Sequence, residues 1–215
     1  IPKPLVPVGD KSMIEIIIDN FNRIGCTEFL ATVNYKHKLI EGHFSDIPEK
    51  DYNISFYKEE KPLGTAGSLY LLKEKIKDTF FISNCDILID QDYRDIHSYH
   101  KEHNNELTII ASLKHIKIPY GTVETGENGE LLDMREKPEL TYMINSGMYI
   151  LEPHLLNEIP EDTFFHITEL IDKIKKRGGK VGVFPVSEKS WFDIGQWSEY
   201  QQTLNSYDKR FTWSS

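Results

Sequence analysis

Apolar side chains near the start of the chain recur at spacings of three and four: Met13, Ile14, Ile17, Ile18, Phe21 and Ile24. That is the period of one helical face. Ser12 followed three residues later by Glu15 supplies a capping pair, so a helix is predicted from residue 12, ended by Gly25. Residues 29–33 form a nearly uninterrupted apolar run, the kind covered on both faces in a parallel sheet. The alternation continues with a helix at 38–44, a short strand at 53–57, and a helix at 68–77 marked by Leu69, Leu72 and Ile76. A strand at 79–83, a helix at 92–102 and a strand at 107–113 follow. From Tyr120 the pattern breaks into short strands punctuated by Gly121, Gly126 and Gly129. A strand at 142–151, an amphipathic helix at 168–177 closed by Gly178 and Gly179, and a strand at 181–186 complete it. The succession is that of an α/β fold.

Composition narrows the classes. The chain has 215 residues, enough to bury a substantial core in one globular unit, and shows no internal repeat or low-complexity tract. Its 25 basic and 34 acidic residues give a formal charge of -9, which argues against a nucleic-acid surface but leaves room for a local phosphate pocket. Cys26 and Cys85 are too few and too isolated for a disulfide framework, so a reducing compartment is expected. There is no run of about 18 apolar residues, and membrane insertion is not expected.

Two segments carry candidate chemistry. Residues 61–68, Lys-Pro-Leu-Gly-Thr-Ala-Gly-Ser, place a glycine-bearing loop at the entry of the helix predicted at 68–77, where Gly64, Thr65, Ala66 and Gly67 could let a nucleotide approach backbone amides. Taken alone, the same loop is ordinary turn punctuation. It matches neither the phosphate loop nor the dinucleotide fingerprint. Residues 80–86 then run Phe-Phe-Ile-Ser-Asn-Cys-Asp, so Asp86 leaves the carboxyl end of a buried strand, where open α/β sheets form ligand crevices. Mg2+ uses one or two carboxylates together with substrate phosphates, and Asp193 in the Trp-Phe-Asp-Ile-Gly segment 191–195 is the candidate second ligand. Asn84 could orient Asp86 or touch a ribose. Lys3, between two prolines, and Lys137, beside Pro138, are candidates to bring charge to phosphates. Glu136, Asn145 and Gly147 suit sugar hydroxyls and the room a sugar ring needs.

In order, Pro2-Lys3-Pro4-Leu5, residues 8–13, residues 62–67, Asn84-Cys85-Asp86, Tyr120-Gly121, Glu136-Lys137-Pro138, Asn145-Ser146-Gly147 and residues 191–195 resemble the sugar-1-phosphate nucleotidyltransferases, or nucleotide-sugar pyrophosphorylases. The resemblance covers nearly the whole chain. It implies a Rossmann-like, mostly parallel mixed sheet flanked by helices, of the nucleotide-diphospho-sugar transferase type. It also implies Mg2+-dependent transfer of a nucleotidyl group from a nucleoside triphosphate to a sugar 1-phosphate. In that scheme Gly64, Thr65, Ala66, Gly67 and Asn84 hold the nucleotide, Asp86 and Asp193 hold the metal, and Lys3 and Lys137 face phosphates. Tyr120, Gly121, Glu136, Asn145 and Gly147 contact the sugar, and the sugar-binding part lies mainly in 115–195. Surface-polysaccharide precursor synthesis in the cytoplasm is the family-level expectation.

Two departures stand out. Cys85 occupies a position that is usually glycine. The first strand and the glycine-rich triphosphate loop, which the family places before the Pro-Lys-Pro segment, are not in this chain, so 1–215 is expected to be a catalytic domain incomplete at its N-terminus. The alternatives are a noncatalytic nucleotide-sugar-binding regulatory domain and a nucleotide-sugar-dependent glycosyltransferase, although Asp86 is followed by Ile87 and Leu88 rather than by a second acid. His97, His100 and His103 fall on a polar helix and are expected to face solvent. Trp191, Trp197, Tyr200, Phe211 and Trp213 suit either a core cover or a homo-oligomer contact.

Overall fold

The structure is a computed structural model and describes residues 1–34 and 36–195. Lys3–Leu5 form a 3-10 turn, consistent with a proline-bracketed connection, and a small hairpin of β1 (Pro7–Val8) and β2 (Lys11–Ser12) follows. Helix α1 (Met13–Asn22) starts at the capping box read from the sequence, with the Ser12 amide donating to Glu15 Oε2 at 2.8 Å. Strand β3 (Glu28–Val33), helix α2 (His37–Ser45) and strand β4 (Asn53–Lys58) come next, and β3 and β4 are parallel. After them come α3 (Gly64–Gly67), β5 (Phe80–Ser83), β6 (Ile87–Ile89), α4 (Tyr93–Glu102), β7 (Leu107–Lys117), β8 (Thr122–Thr125) and β9 (Leu131–Arg135). The last elements are β10 (Glu139–Leu151), α5 (Ile167–Lys176), β11 (Val181–Val186) and β12 (Trp191–Asp193).

A four-stranded sheet in the order β11-β7-β10-β5 forms the centre. β11 runs parallel to β7, and β10 runs against both of its neighbours, so the sheet is mixed. Alternation along β10 divides the core into two apolar layers: Met148 and Ile150 join Met13, Ile17, Phe21 and Ile96 on one face, while Tyr149 and Leu151 join Leu155, Leu170 and Ile174 on the other. Helices α1 and α4 cover the first face and α5 the second. The helix-flanked mixed sheet is the one the resemblance implies, but its mostly parallel character is corrected: of the three pairings in this sheet only β11–β7 is parallel, because β10 returns as an antiparallel ribbon against β7. Among the described residues β3 pairs only with β4 and β5 only with β10, while Phe21 of α1 rests against both Phe29 and Phe81, at 6.4 and 5.1 Å.

Two further expectations are corrected. Residues 68–77 do not form a regular helix; α3 gives way to a 3-10 segment, Ser68–Leu72, that buries Leu69 and Leu72. Their separation of three is the 3-10 repeat, and Ile76 stays only partly buried. On α4, the polar-looking face is not wholly wet. His100 is fully buried and completes an inward stripe with Tyr93 and Ile96, its ring bonded to Thr108 Oγ1 and Glu152 Oε1 at 2.8 and 3.1 Å. Burial holds its pKa below the usual histidine value, with Glu152 opposing. His97 and His103 are exposed, as expected.

Candidate active site

The site is assembled by the β6–β12 ladder. Residue 193 pairs with Ile87, and the Ile194 amide donates to the Asp86 carbonyl at 2.9 Å, so two distant carboxylates meet at the end of one short ribbon. Along β12, Phe192 is buried in the core, while its neighbours Trp191 and Asp193 are only partly buried, Trp191 resting against the edge of that core. Lys3 arrives from the N-terminal turn, its Nζ 3.0 Å from Asp86 Oδ2. Two-thirds of the Lys3 side chain is exposed, against 23% for Asp86. The bond to Asp86 holds the Lys3 ammonium above its usual pKa. Next door, burial pushes the Cys85 thiol up to about 11, and the Asp86 charge adds to this.

Strand β10 forms the opposite wall. Its register shifts between Asn145 and Met148, and this bulge turns Asn145, Ser146 and Gly147 toward Asp86. The Gly147 amide donates to Asn145 Oδ1 at 3.0 Å, and Asn145 Nδ2 donates to the Tyr149 hydroxyl at 2.6 Å. Gly147 has φ +87°, and a Cβ there would stand 2.6 Å from Asn84 Nδ2. Only glycine lets β10 and Asn84 approach this closely. The Asn84 amide, in turn, donates to the Gly147 carbonyl at 3.0 Å. Trp191 Nε1 donates to the Ser146 carbonyl at 3.2 Å and ties β12 to the bulge.

The result is a cavity of about 350 Å³ lined by Asn84, Asp86, Asn145, Gly147 and Asp193, together with Ile87, Ser146, Tyr149 and Trp191. Sequence reasoning named the first five and missed the other four. Trp191 and Tyr149 were detectable, because each lies two or four residues from a named site residue on the same strand. Gly195 was also overlooked as a site residue. A Cβ there would lie 2.9 Å from Asp193 Oδ1, 3.2 Å from Asp86 Oδ2 and 3.5 Å from Lys3 Nζ, so its missing side chain keeps the space between carboxylates and ammonium open. Two carboxylates around such a cradle fit a hard divalent cation that draws its remaining oxygen ligands from a bound phosphate.

Other expected site residues lie elsewhere. The turn from Gly64 to Gly67 packs on the segment before α5: the Ala66 and Gly67 amides donate to the Phe165 carbonyl at 3.0 and 2.9 Å, and Thr65 Oγ1 accepts from the Ile167 amide at 2.9 Å. A Cβ at Gly64 would stand 2.7 Å from Phe165 O, and one at Gly67 2.5 Å from Thr163 O. Close backbone contact therefore accounts for both glycines. Ala66 and Gly67 are buried and Thr65 is exposed. Gly121 and Glu136 meet, with Glu136 Oε2 3.3 Å from the Gly121 Cβ position, but they, Tyr120 and Lys137 do not line the Asp86 cavity. They lie where the β7–β10 ribbon leaves the sheet; Glu139, at its start, is six residues from Asn145, about 20 Å along a strand. Lys137 holds φ 44°, a left-handed conformation uncommon for a residue other than glycine. Trp197, Tyr200, Phe211 and Trp213 lie outside the described residues.

The nucleotidyl transferase family profile matches residues 1–210. The chain is similar to the mannose-1-phosphate guanylyltransferase catalytic subunit beta of Dictyostelium discoideum, 32% identical over 213 residues that make up 96% of this chain and 58% of the relative. It is also similar to the mannose-1-phosphate guanyltransferase of Schizosaccharomyces pombe, 33% identical over 210 residues, 93% of this chain and 57% of that one. The chain thus spans less than two-thirds of the length of these curated relatives. Among solved structures, HddC from Yersinia pseudotuberculosis complexed with GMP-PN shares the fold, with a TM-score of 0.73 at 23% identity over 96% of this chain and 90% of that one. A match over residues 1–210, from the Lys3 turn past Asp86 and Asp193, leaves one conclusion: the chain belongs to the nucleotidyl transferase family.

Proposed function

We propose that the protein transfers a nucleotidyl group from a nucleoside triphosphate to a sugar 1-phosphate, releasing a nucleotide sugar and pyrophosphate. The observation that carries this reading is the meeting of Asp86, Asp193 and Lys3 at one end of a cavity whose far wall offers amide and hydroxyl groups. The relatives' names favour a guanine nucleotide and a mannose-like 1-phosphate as the substrate pair.

An anionic oxygen of the sugar 1-phosphate attacks the α-phosphorus, a new P–O bond forms, and the bond to the β-phosphate oxygen breaks. The nucleophile is already charged, so no general base is needed. What the protein must do is align two anions and screen their repulsion. Asp86 and Asp193 would hold Mg2+, which when bound supplies charge neutralisation at the phosphates. Lys3 brings a positive charge to the same end of the cavity. Asn84 and Asn145, the latter held by the Tyr149 hydroxyl and the Gly147 amide, would orient sugar or ribose hydroxyls. Two free cysteines and nucleotide substrates accord with the cytoplasm.

The test is an assay pairing nucleoside triphosphates with sugar 1-phosphates in the presence of Mg2+. Pyrophosphate and a nucleotide sugar should appear together for one pair above the others. Asp86→Ala and Asp193→Ala should each remove most turnover and leave the thermal unfolding profile intact. Wild-type turnover in both variants would overturn the metal assignment.

A further inference from the structure

Lys3 does not stand free at the mouth of the site; it already occupies one of the metal carboxylates. Its Nζ lies 3.0 Å from Asp86 Oδ2, and Asp193 Oδ1 is likewise engaged by the Gly195 amide at 2.8 Å. The backbone under Lys3 is fixed by a turn in which the Leu5 amide donates to the Pro2 carbonyl at 2.9 Å and the Val6 amide to the Lys3 carbonyl at 3.1 Å. Prolines at positions 2 and 4 further restrict that turn. The side chain above it is 66% exposed. A rigid base with a mobile four-carbon stem is a short tether for a point charge.

We propose that Lys3 is a tethered counter-cation: it competes with the divalent cation for Asp86 and yields more readily when a phosphate receives its ammonium. The inference rests on the reading of Asp86 and Asp193 as the metal pair. Two cations at one carboxylate repel each other, so the ammonium on Asp86 Oδ2 lowers the affinity of the site for a divalent ion. A phosphate offers the ammonium a more highly charged partner within reach of the same stem. Once the ammonium has moved there, Asp86 is released, and metal and phosphate favour each other's binding. Gly195 makes the exchange sterically possible, because the space between Lys3 Nζ and both carboxylates holds no side chain. The device discourages the site from loading a metal ion without the substrate it serves.

The experiment measures Mn2+ binding directly, by the electron paramagnetic resonance signal of the free ion, in the wild type, Lys3→Met and Lys3→Arg without nucleotide. Lys3→Met removes the charge and keeps the length, and Mn2+ should bind about fivefold more tightly, the size expected when one exposed ion pair is lost. Lys3→Arg should stay within about twofold of the wild type, since it keeps the charge. Inorganic phosphate, with a protein-free control for its own Mn2+ binding, should tighten Mn2+ binding to the wild type more than to Lys3→Met. Asp86→Asn combined with Lys3→Met should bind no more tightly than Asp86→Asn alone. Equal or weaker Mn2+ binding by Lys3→Met, or no Mn2+ binding by either protein, would overturn the proposal. Because metal binding is read without turnover, a protein that makes no nucleotide sugar but shows these shifts would refute the proposed reaction and leave the counter-cation role standing.

Discussion

Gly195→Ala separates the site from the fold more cleanly than a change at either carboxylate. The added methyl would sit 2.9 Å from Asp193 Oδ1 and 3.2 Å from Asp86 Oδ2, inside the ordinary contact distance for carbon and oxygen. Both oxygens belong to side chains on a short ribbon, so the carboxylates can relieve the contact by rotating apart. They would then no longer bracket one space. Displacement of a positioning group by about 1 Å is enough to lower turnover about 100-fold, so a fall of about 10- to 100-fold is expected. Stability should hardly change. Gly195 does not adopt a left-handed φ, so alanine brings no backbone strain, and the reduced freedom of the unfolded chain is worth about 0.4–1 kcal/mol in the stabilising direction. The contact strain opposes that gain, and the melting temperature should move by less than about 4 °C. Nucleotide-sugar formation under saturating substrates and Mg2+, run beside calorimetric unfolding, gives both numbers. Wild-type turnover in a normally folded Gly195→Ala protein would refute the idea that this open cradle serves the chemistry.

Gly147→Ala should behave differently and cost both stability and activity. A Cβ 2.6 Å from Asn84 Nδ2 at φ +87° combines strain with a clash, and about 2–3 kcal/mol of destabilisation is expected by denaturant titration. For Lys137, whose φ of 44° is unusual for a side chain, Lys137→Gly and Lys137→Ala discriminate between backbone and charge. If the charge meets the sugar phosphate, both should raise KM for the sugar 1-phosphate more than for the nucleoside triphosphate; if only the turn matters, Lys137→Gly should match or exceed wild-type stability with normal kinetics. At the far end of β7, hydrogen bonds from Arg177 are the main cause holding the Glu106 carboxyl down at about 2, against an ordinary 4.5. The unfolded chain therefore binds more protons across that interval, and the stabilisation, fully present above pH 4.5, is lost as the pH falls toward 2. Arg177→Ala should flatten this acid limb and lower stability at neutral pH, as unfolding series at successive pH values would show.

Much of the scaffold can be read from local pattern. The Ser12–Glu15 capping box and the stripe through Ile17 and Phe21 produce α1, and the uninterrupted runs at β3 and β5 produce two-faced strands, because each signal lies within one element. Elements missed were those defined by partners. β6 and β12 have three residues each, too few to show a period, and exist because Phe192 pairs with Leu88. His100 looked like a wet histidine because its satisfying groups, Thr108 and Glu152, are on other strands and turns. The same limit governs the site. Asp86 was legible at the end of its strand, and Asn145 and Gly147 in their short motif. That Gly64 and Gly67 admit the Phe165 backbone is a matter of contact between distant segments, which spacing along the chain does not encode.

The central claim is that Asp86 and Asp193 act together as one metal-holding pair in nucleotidyl transfer. The most direct test is a double-mutant cycle on turnover with Asp86→Asn, Asp193→Asn and the combined variant, each checked for native unfolding, in the assay that detects pyrophosphate and nucleotide sugar together. Two ligands of one ion should be strongly non-additive, so the double variant should be scarcely worse than the poorer single one, as for groups that function as a unit. Fully additive losses, or wild-type rates in either single variant, would contradict the account.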